Sequence, residues 1–306
     1  MSQPTFRPGS GWRGPRPGPP AAGPPAAQPP AQADAPLELP DIQAALAAKY
    51  ALRDLVVVTA ASGDELYQNL GAGAAMYFRG HVERNFRVGF SCANTIHTMV
   101  RNIEPFRLAM DAFPISFNVV PELTSVMSSY AALIELWQRN PECRAHAVNF
   151  PSFFATESER SAFENRPDVR TIMGQVRDVN MAFYSCGSFG PGSSYGVVKE
   201  YVNRFIDPAF DPNQLYEAGA CGEVNWHPYA IDGRIMTHPV PYSFGFIDLA
   251  AFRELSGRPD RHMVLVAGGT QKVQPIVGAL RGGFLNVLIT DERTLRSVAE
   301  ADAALI

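Results

Sequence analysis

Apolar residues along this chain come in two textures: short unbroken runs, and longer stretches with apolar positions three or four apart. The segment DIQAALAAKY predicts a short helix leading into a strand, DLVVVTA (54–60). A second helix is predicted over 64–80, with Leu66, Leu70, Ala74 and Tyr77 on one face. A strand at 87–90 and a helix from Thr95 onward follow. In that helix Ile96, Met99, Val100 and Ile103 fall at i, i+3, i+4 and i+7, an amphipathic stripe. The run ISFNVV (115–120) predicts a strand leading to Pro121, a residue suited to the first helical position. The helix beyond it carries Leu123, Val126, Met127, Tyr130, Ile134 and Trp137. Further strands are predicted in HAVNF, VNMAFYS, HMVLVAG and FLNVLIT, with helical patterns between or after most of them. Strands that alternate with helices need crossover connections, so the fold class is α/β, with a parallel sheet covered on both faces.

Composition separates the two ends of the chain. The first 40 residues hold 12 of the 26 prolines, carry Arg7, Arg13 and Arg16, and have no acid before Asp34. They lack the apolar content to fold, so residues 1–40 are expected to be a disordered, extended tail. A docking motif for a partner is the sharper alternative. Proline removes backbone donors, so no DNA-reading helix is expected there. Residues 41–306 keep a globular texture. The whole chain of 306 residues is 46% hydrophobic, enough for one sizeable core or two smaller ones. A net charge of -4 provides no global basic field for nucleic acid. No apolar run approaches the roughly 20 residues that span a bilayer, and no secretory leader is evident. A cytoplasmic protein with no membrane partner is the resulting expectation. Cys92, Cys143, Cys186 and Cys221 are scattered, and His, Asp and Glu show no metal-ligand spacing. Reduced, mostly buried thiols are expected, with no metal and no cofactor.

In open parallel sheets, ligands gather beyond the carboxyl ends of strands, where helix N-termini offer free N–H groups. Three segments lie at such ends, and a fourth supplies a carboxylate before a strand. In VGFSCANT, Ser91, Asn94 and Thr95 can donate hydrogen bonds, and Asn94 or Thr95 could cap the helix that follows. The loop FYSCGSFGPGSSYG (183–196) offers Gly187, Gly190 and Gly192 for close backbone approach, with Ser188, Ser193 and Ser194 as donors. In VLVAGGTQKVQPIVGALRGG, a strand ends at Gly268–Gly269, and Thr270 and Lys272 open a helix bearing Val273, Ile276, Val277 and Leu280. A lysine there opposes the helix dipole unless an anion sits beside it. The Walker spacing is absent. The segment GACGEVNWHPYAIDGR places Glu223 at a bend before a strand, where a carboxylate can accept from sugar hydroxyls. Its Asp232–Gly233 pair signals a turn between strands, and His227 and His238, each beside a proline, read as structural or exposed.

Together these stretches resemble the sugar-binding, or effector-binding, domain of SorC-type bacterial transcriptional regulators. The resemblance runs over residues 41 to 304 and is most specific in VLVAGGTQKVQPIVGALRGGFLNVLITDERTL. It implies a Rossmann-like fold similar to ribose-5-phosphate isomerase and glucosamine-6-phosphate deaminase. It also implies that the chain binds a carbohydrate or sugar phosphate and works as a homo- or hetero-oligomer. Carried over by position, Ser91, Asn94 and Thr95 lie in the phosphate-side loop. Glu223 sits where an acidic residue meets sugar hydroxyls, and Gly269 and Lys272 belong to the segment whose lysine meets the ligand. Ser188 falls in the corresponding middle loop. Two departures stand out. Ala93 occupies the second glycine position of G-x-S-x-G-x-T, and the proline-rich tail stands where full regulators carry a helix-turn-helix domain. The implied function is therefore ligand sensing that regulates genes indirectly, without direct DNA binding and without catalysis. An enzyme acting on a sugar phosphate and a degenerate structural module are the alternatives, and Glu223 has no clear acid–base partner in the sequence.

Overall fold

The computed structural model describes residues 40–116, 129–146, 153–190, 193, 196–237 and 247–304. The first elements are α1 (Pro40–Tyr50), β1 (Asp54–Val58), α2 (Gly63–His81), β2 (Arg87–Phe90) and α3 (Asn94–Arg101). They are followed by β3 (Met110–Pro114), α4 (Ser129–Arg139), β4 (Cys143–Ala145), α5 (Glu157–Glu164), α6 (Pro167–Val176) and β5 (Met181–Tyr184). Next come β6 (Gly187–Ser188), α7 (Gly196–Phe205), α8 (Asn213–Glu217), β7 (Ala220–Val224) and β8 (His227–Ala230). The chain continues through α9 (Leu249–Ser256), β9 (His262–Val266), a 3₁₀ turn (Thr270–Lys272), α10 (Val273–Gly282), β10 (Val287–Asp291) and α11 (Glu292–Ala304).

Among the described residues, seven strands form one sheet in the order β1-β10-β9-β5-β2-β3-β4, with every adjacent pair parallel. The strand sequences explain why both faces must be covered. Along β9, Met263 and Leu265 enter one core, while Val264 and Val266 enter the other. Along β5 the same split separates Ala182 and Tyr184 from Met181 and Phe183. Helices α2, α3 and α4 cover the second of these cores, and α1, α6, α9, α10 and α11 cover the first. Strands β6, β7 and β8 make a separate antiparallel sheet. It is fastened to α10 by Tyr229, whose buried hydroxyl donates to the Pro275 carbonyl at 2.9 Å.

The α/β architecture read from the sequence is therefore the one observed. Leu66, Leu70, Ala74 and Tyr77 are all buried along α2, and β2 spans 87–90 as expected. Ile96, Met99, Val100 and Ile103 are fully buried. The Asp232–Gly233 turn forms with Gly233 at φ 82° and an antiparallel bridge between Tyr229 and Ile235.

Three readings change. The third strand is Met110–Pro114; Ile115 and Ser116 lie beyond its end, and the rest of the 115–120 run is outside the described residues. Its partner β2 ends at Phe90, opposite Pro114, and beyond that point Ser116 spends its hydroxyl on the Cys92 N–H instead of continuing a ladder. In α4 the inward face is Ala132, Leu133 and Leu136, while Ile134 and Trp137 are 55% and 52% exposed. Leu133 and Leu136 pack into the core beside the sheet, and Ile134 and Trp137, each one position further round the helix, fall on its outer side. Glu223 is not at a bend but inside β7, two residues before its turn. The tail, residues 117–128, the HAVNF strand beyond His146, His238 and part of the 183–196 loop lie outside the described residues.

Candidate functional site

The sheet order reverses between β2 and β5. From β2 the chain moves outward to β3 and β4, whereas from β5 it moves the other way to β9 and β10. The loops that leave the carboxyl ends of β2 and β5 therefore diverge and open a crevice, the usual ligand position in such sheets. Ser91 and Cys92 leave β2 there, and Cys186 and Gly187 leave β5.

The β2 loop is held by the backbone. Ser91 donates its N–H to the Phe183 carbonyl at 3.0 Å, and Cys92 donates its N–H to Ser116 Oγ at 2.7 Å. Ser116 is fixed in turn, since its carbonyl accepts from Ser129 Oγ at 2.7 Å. The Ser91 side chain is buried and its Oγ has no hydrogen-bond partner among the described residues. Such a group costs free energy unless something else satisfies it. Helix α3 starts directly after this loop. Its N-cap is Ala93, not Asn94 or Thr95, and no side chain caps it. Asn94 is exposed in the first turn, and Thr95 is buried on the inward face. The first turn carries no acid, so its N–H groups and the positive dipole end are unopposed. Ala93 adopts φ -140° and ψ 146°, an extended conformation open to any residue. The missing second glycine therefore imposes no backbone strain.

The opposite wall is the β6–β7 pair. Gly187 stands opposite Glu223 in the antiparallel register, and Ser188 opposite Gly222. Glu223 is buried, yet its Oε2 accepts from the Trp226 N–H at 2.7 Å. Burial pushes the Glu223 carboxyl up, while the Trp226 N–H, Lys272 and the Gly187 backbone favour its charged form. Ser188 is also buried, and its carbonyl accepts from Ser193 Oγ.

Lys272 reaches this wall from the β9–α10 connection. Gly269, at φ 94°, turns the chain, and its N–H is bound by Asp291 Oδ2 (3.2 Å) and Thr294 Oγ1 (2.7 Å) at the start of α11. The 3₁₀ turn then delivers a half-buried Lys272 close enough to act on both Glu223 and Cys186. Cys92 is likewise within electrostatic reach of Glu223. Burial holds the Cys92 and Cys186 thiols up at about 11, so both are protonated at neutral pH.

Glu223 and Lys272, far apart in the chain, thus belong to one neighbourhood, and Cys92, the residue after Ser91, also reaches Glu223. Asn94 and Thr95 stand in the first turn of α3, and Ser188 lies in β6, the strand paired with β7. Gly269 differs: its N–H is already engaged, and it lines a separate opening with Ser62, Thr270, Asp291, Arg293 and Ser297. Sequence reasoning missed Ser116, Gly187 as the floor under Glu223, and Trp226 as its donor. Among the described residues no group of His, Cys, Asp and Glu could hold a metal, and no helix is long and apolar enough to cross a membrane.

The arrangement offers one cation, one carboxylate, a free hydroxyl and an uncapped helix start. The Sugar-bind family model, described as "Putative sugar-binding domain", matches residues 35–300. The deoxyribonucleoside regulator of Bacillus subtilis is 23% identical over 255 residues, which is 82% of this chain and 76% of that protein. A probable sor operon regulator from Shigella flexneri superimposes with a TM-score of 0.72 at 19% identity, over 84% of this chain and 98% of that one. The full-length sorbitol operon regulator SorC of Klebsiella pneumoniae gives 0.72 at 19% identity, over 84% and 80%. A transcriptional regulator from Streptococcus pneumoniae gives 0.73 at 17%, over 86% and 97%.

Proposed function

This chain belongs to the Sugar-bind family, and from that premise we propose that it senses a small carbohydrate, free or phosphorylated, in the crevice between β2 and β5. The observation that carries the reading is the pairing of unmet binding capacity with built recognition chemistry. Ser91 Oγ is buried without a partner among the described residues, beside an uncapped helix start, a setting that suits phosphate or another anion. Glu223, held by the Trp226 N–H, keeps lone pairs for sugar hydroxyls, and Lys272 balances its charge or meets the anion. Ser91, Asn94, Thr95, Ser188, Glu223 and Lys272 are the contact set in this reading. Gly269 positions Lys272.

Catalysis is the weaker reading. An isomerase or deaminase needs a poised acid–base pair, and the thiols nearest Glu223 are held protonated. Relatives that carry the names of transcriptional regulators support a regulatory output, which we assign to assembly with a second copy or a related full-length regulator.

The test is a thermal-shift panel of free and phosphorylated pentoses, hexoses and hexitols. A ligand at a hundredfold excess over its Kd stabilises the native state by about 2.7 kcal/mol. At least one compound is expected to raise the Tm, with the shift abolished in Lys272→Ala. A flat response across the panel sinks the proposal. The regulatory output is checked by light scattering with and without that compound, where an unchanged mass rules out ligand-driven assembly.

A further inference from the structure

The turn between β7 and β8 consists of Asn225 and Trp226, at φ 50° and 70°. Two-residue hairpin turns of this kind take Asn readily at the first position and glycine at the second. Asn225 fits, and its Nδ2 also donates to the Ile115 carbonyl at 3.0 Å, tying the turn to the end of β3. Tryptophan does not fit: in the left-handed region its Cβ crowds the neighbouring backbone, a strain that glycine avoids. The backbone task of the position, the N–H that holds Glu223 Oε2 at 2.7 Å, would be done equally well by glycine. What glycine cannot supply is the indole. Strain of this sort persists where the strained residue serves a site.

The indole is half-buried, with one part resting on the satellite cluster of Phe153, Val202, Phe210 and Leu215. The residue follows Glu223 around the turn, and the carboxylate curls back to meet its N–H. We propose that Trp226 is the specificity-determining apolar wall of the ligand crevice, a flat platform for the C–H face of a sugar ring. This rests on the carbohydrate reading above and deepens it, since it selects a cyclic sugar over an acyclic polyol. A ring then receives polar contacts from Glu223 and Lys272 at its edge and an aromatic face beneath it, the usual division of labour in small-molecule sites.

Packing against the cluster is the competing explanation, and the Phe and Leu variants separate the two. Trp226→Phe and Trp226→Leu both keep an apolar side chain on the cluster and the same N–H to Glu223. They differ in the flat face. The probes are glucose 6-phosphate, fructose 6-phosphate, ribose 5-phosphate and 2-deoxyribose 5-phosphate, titrated calorimetrically into the full chain. The Phe variant is expected to bind within about threefold of wild type and the Leu variant at least tenfold more weakly. Equal affinity in the two variants overturns the wall. A second readout does not depend on how well the Leu variant folds. In Trp12→Phe/Trp137→Phe protein, Trp226 is the one remaining indole, and its emission is expected to change on saturation with sugar. Unchanged emission at saturation overturns the wall while leaving the sugar site standing. No binding of any probe to wild type sinks the sugar site and the wall together.

Discussion

Gly187 lies directly beneath the Glu223 carboxylate. A Cβ built on Gly187 would stand 2.1 Å from Glu223 Oε1 and 2.9 Å from its Cδ. The bare backbone of β6 is what lets a buried carboxylate fold flat against the small sheet and remain within reach of the Trp226 N–H. Gly187→Ala is therefore expected to push the carboxylate off its donors. The protein should still fold, because the main sheet is untouched, but with stability lowered by about 1–3 kcal/mol for overpacking. Sugar binding should fall at least tenfold. Urea denaturation gives the first number and calorimetric titration the second; an alanine variant that binds normally would mean that Glu223 need not sit where it does.

Ser91 makes the opposite trade. Its Oγ is buried and has no partner among the described residues, so removing it strands no donor or acceptor there. Ser91→Ala is expected to leave the ligand-free protein unchanged or more stable by up to about 1 kcal/mol. The same variant should bind phosphorylated sugars about tenfold more weakly. This pattern, function lost while stability is kept or gained, marks residues retained for a site. A clear loss of ligand-free stability, measured by thermal melting, would instead make Ser91 a structural residue.

Asp302 is the hub that holds the first helix to the domain. Its carboxylate accepts from Lys49 Nζ at 2.6 Å, from Tyr50 Oη at 2.6 Å, and from Arg281 Nη2 at 2.8 Å. It joins α1, α10 and α11 while only 4% of its side chain is exposed. Removing one partner of a buried, hydrogen-bonded charge cluster costs roughly 3–5 kcal/mol. Lys49 is partly exposed, and water there relieves part of that cost. Asp302→Ala is expected to destabilise the protein by about 2–4 kcal/mol in urea melts. Amide exchange should accelerate first in α1. Uniform acceleration across the whole chain would contradict the hub role.

The α/β architecture was legible because strands buried on both faces are written as unbroken apolar runs, as in residues 263–266, and the helices beside them as stripes. Ser91, Glu223 and Lys272 stand out as candidates because polar residues at strand ends and a lysine at a helix start run against local preference. What escaped the sequence depends on tertiary pairing. Nothing local in GSF says that Gly187 will face Glu223, since that register is set only when β6 meets β7. Ser116 looked like the second residue of a strand, and it became a side-chain acceptor because β2 runs out opposite Pro114. On α4, the series with Ile134 and Trp137 and the series with Leu133 and Leu136 are both helical in period. Packing against the sheet chose between them.

His262 reports on the end of the sheet away from the crevice. At the amino end of β9 it hydrogen-bonds through Nδ1 to Tyr77 Oη at 2.8 Å, and Tyr77 Oη donates to Asp54 Oδ2 at 2.8 Å. Burial, with Arg53 and His81 nearby, lowers the His262 pKa to about 4, against the opposing pull of Asp54. The unfolded value is near 6.5, so the folded state favours the neutral ring. Its contribution to stability is therefore complete above pH 6.5 and is lost as the pH falls from there through about 4. The loss should reach about 2 kcal/mol after allowance for screening near the sheet end. His262→Gln cannot titrate, so its stability should fall less over the same interval. Urea melts of both proteins at intervals between pH 7 and pH 4 should converge at the acid end. Parallel curves across that range would show that His262 gains no proton on unfolding, and that acid sensitivity arises elsewhere.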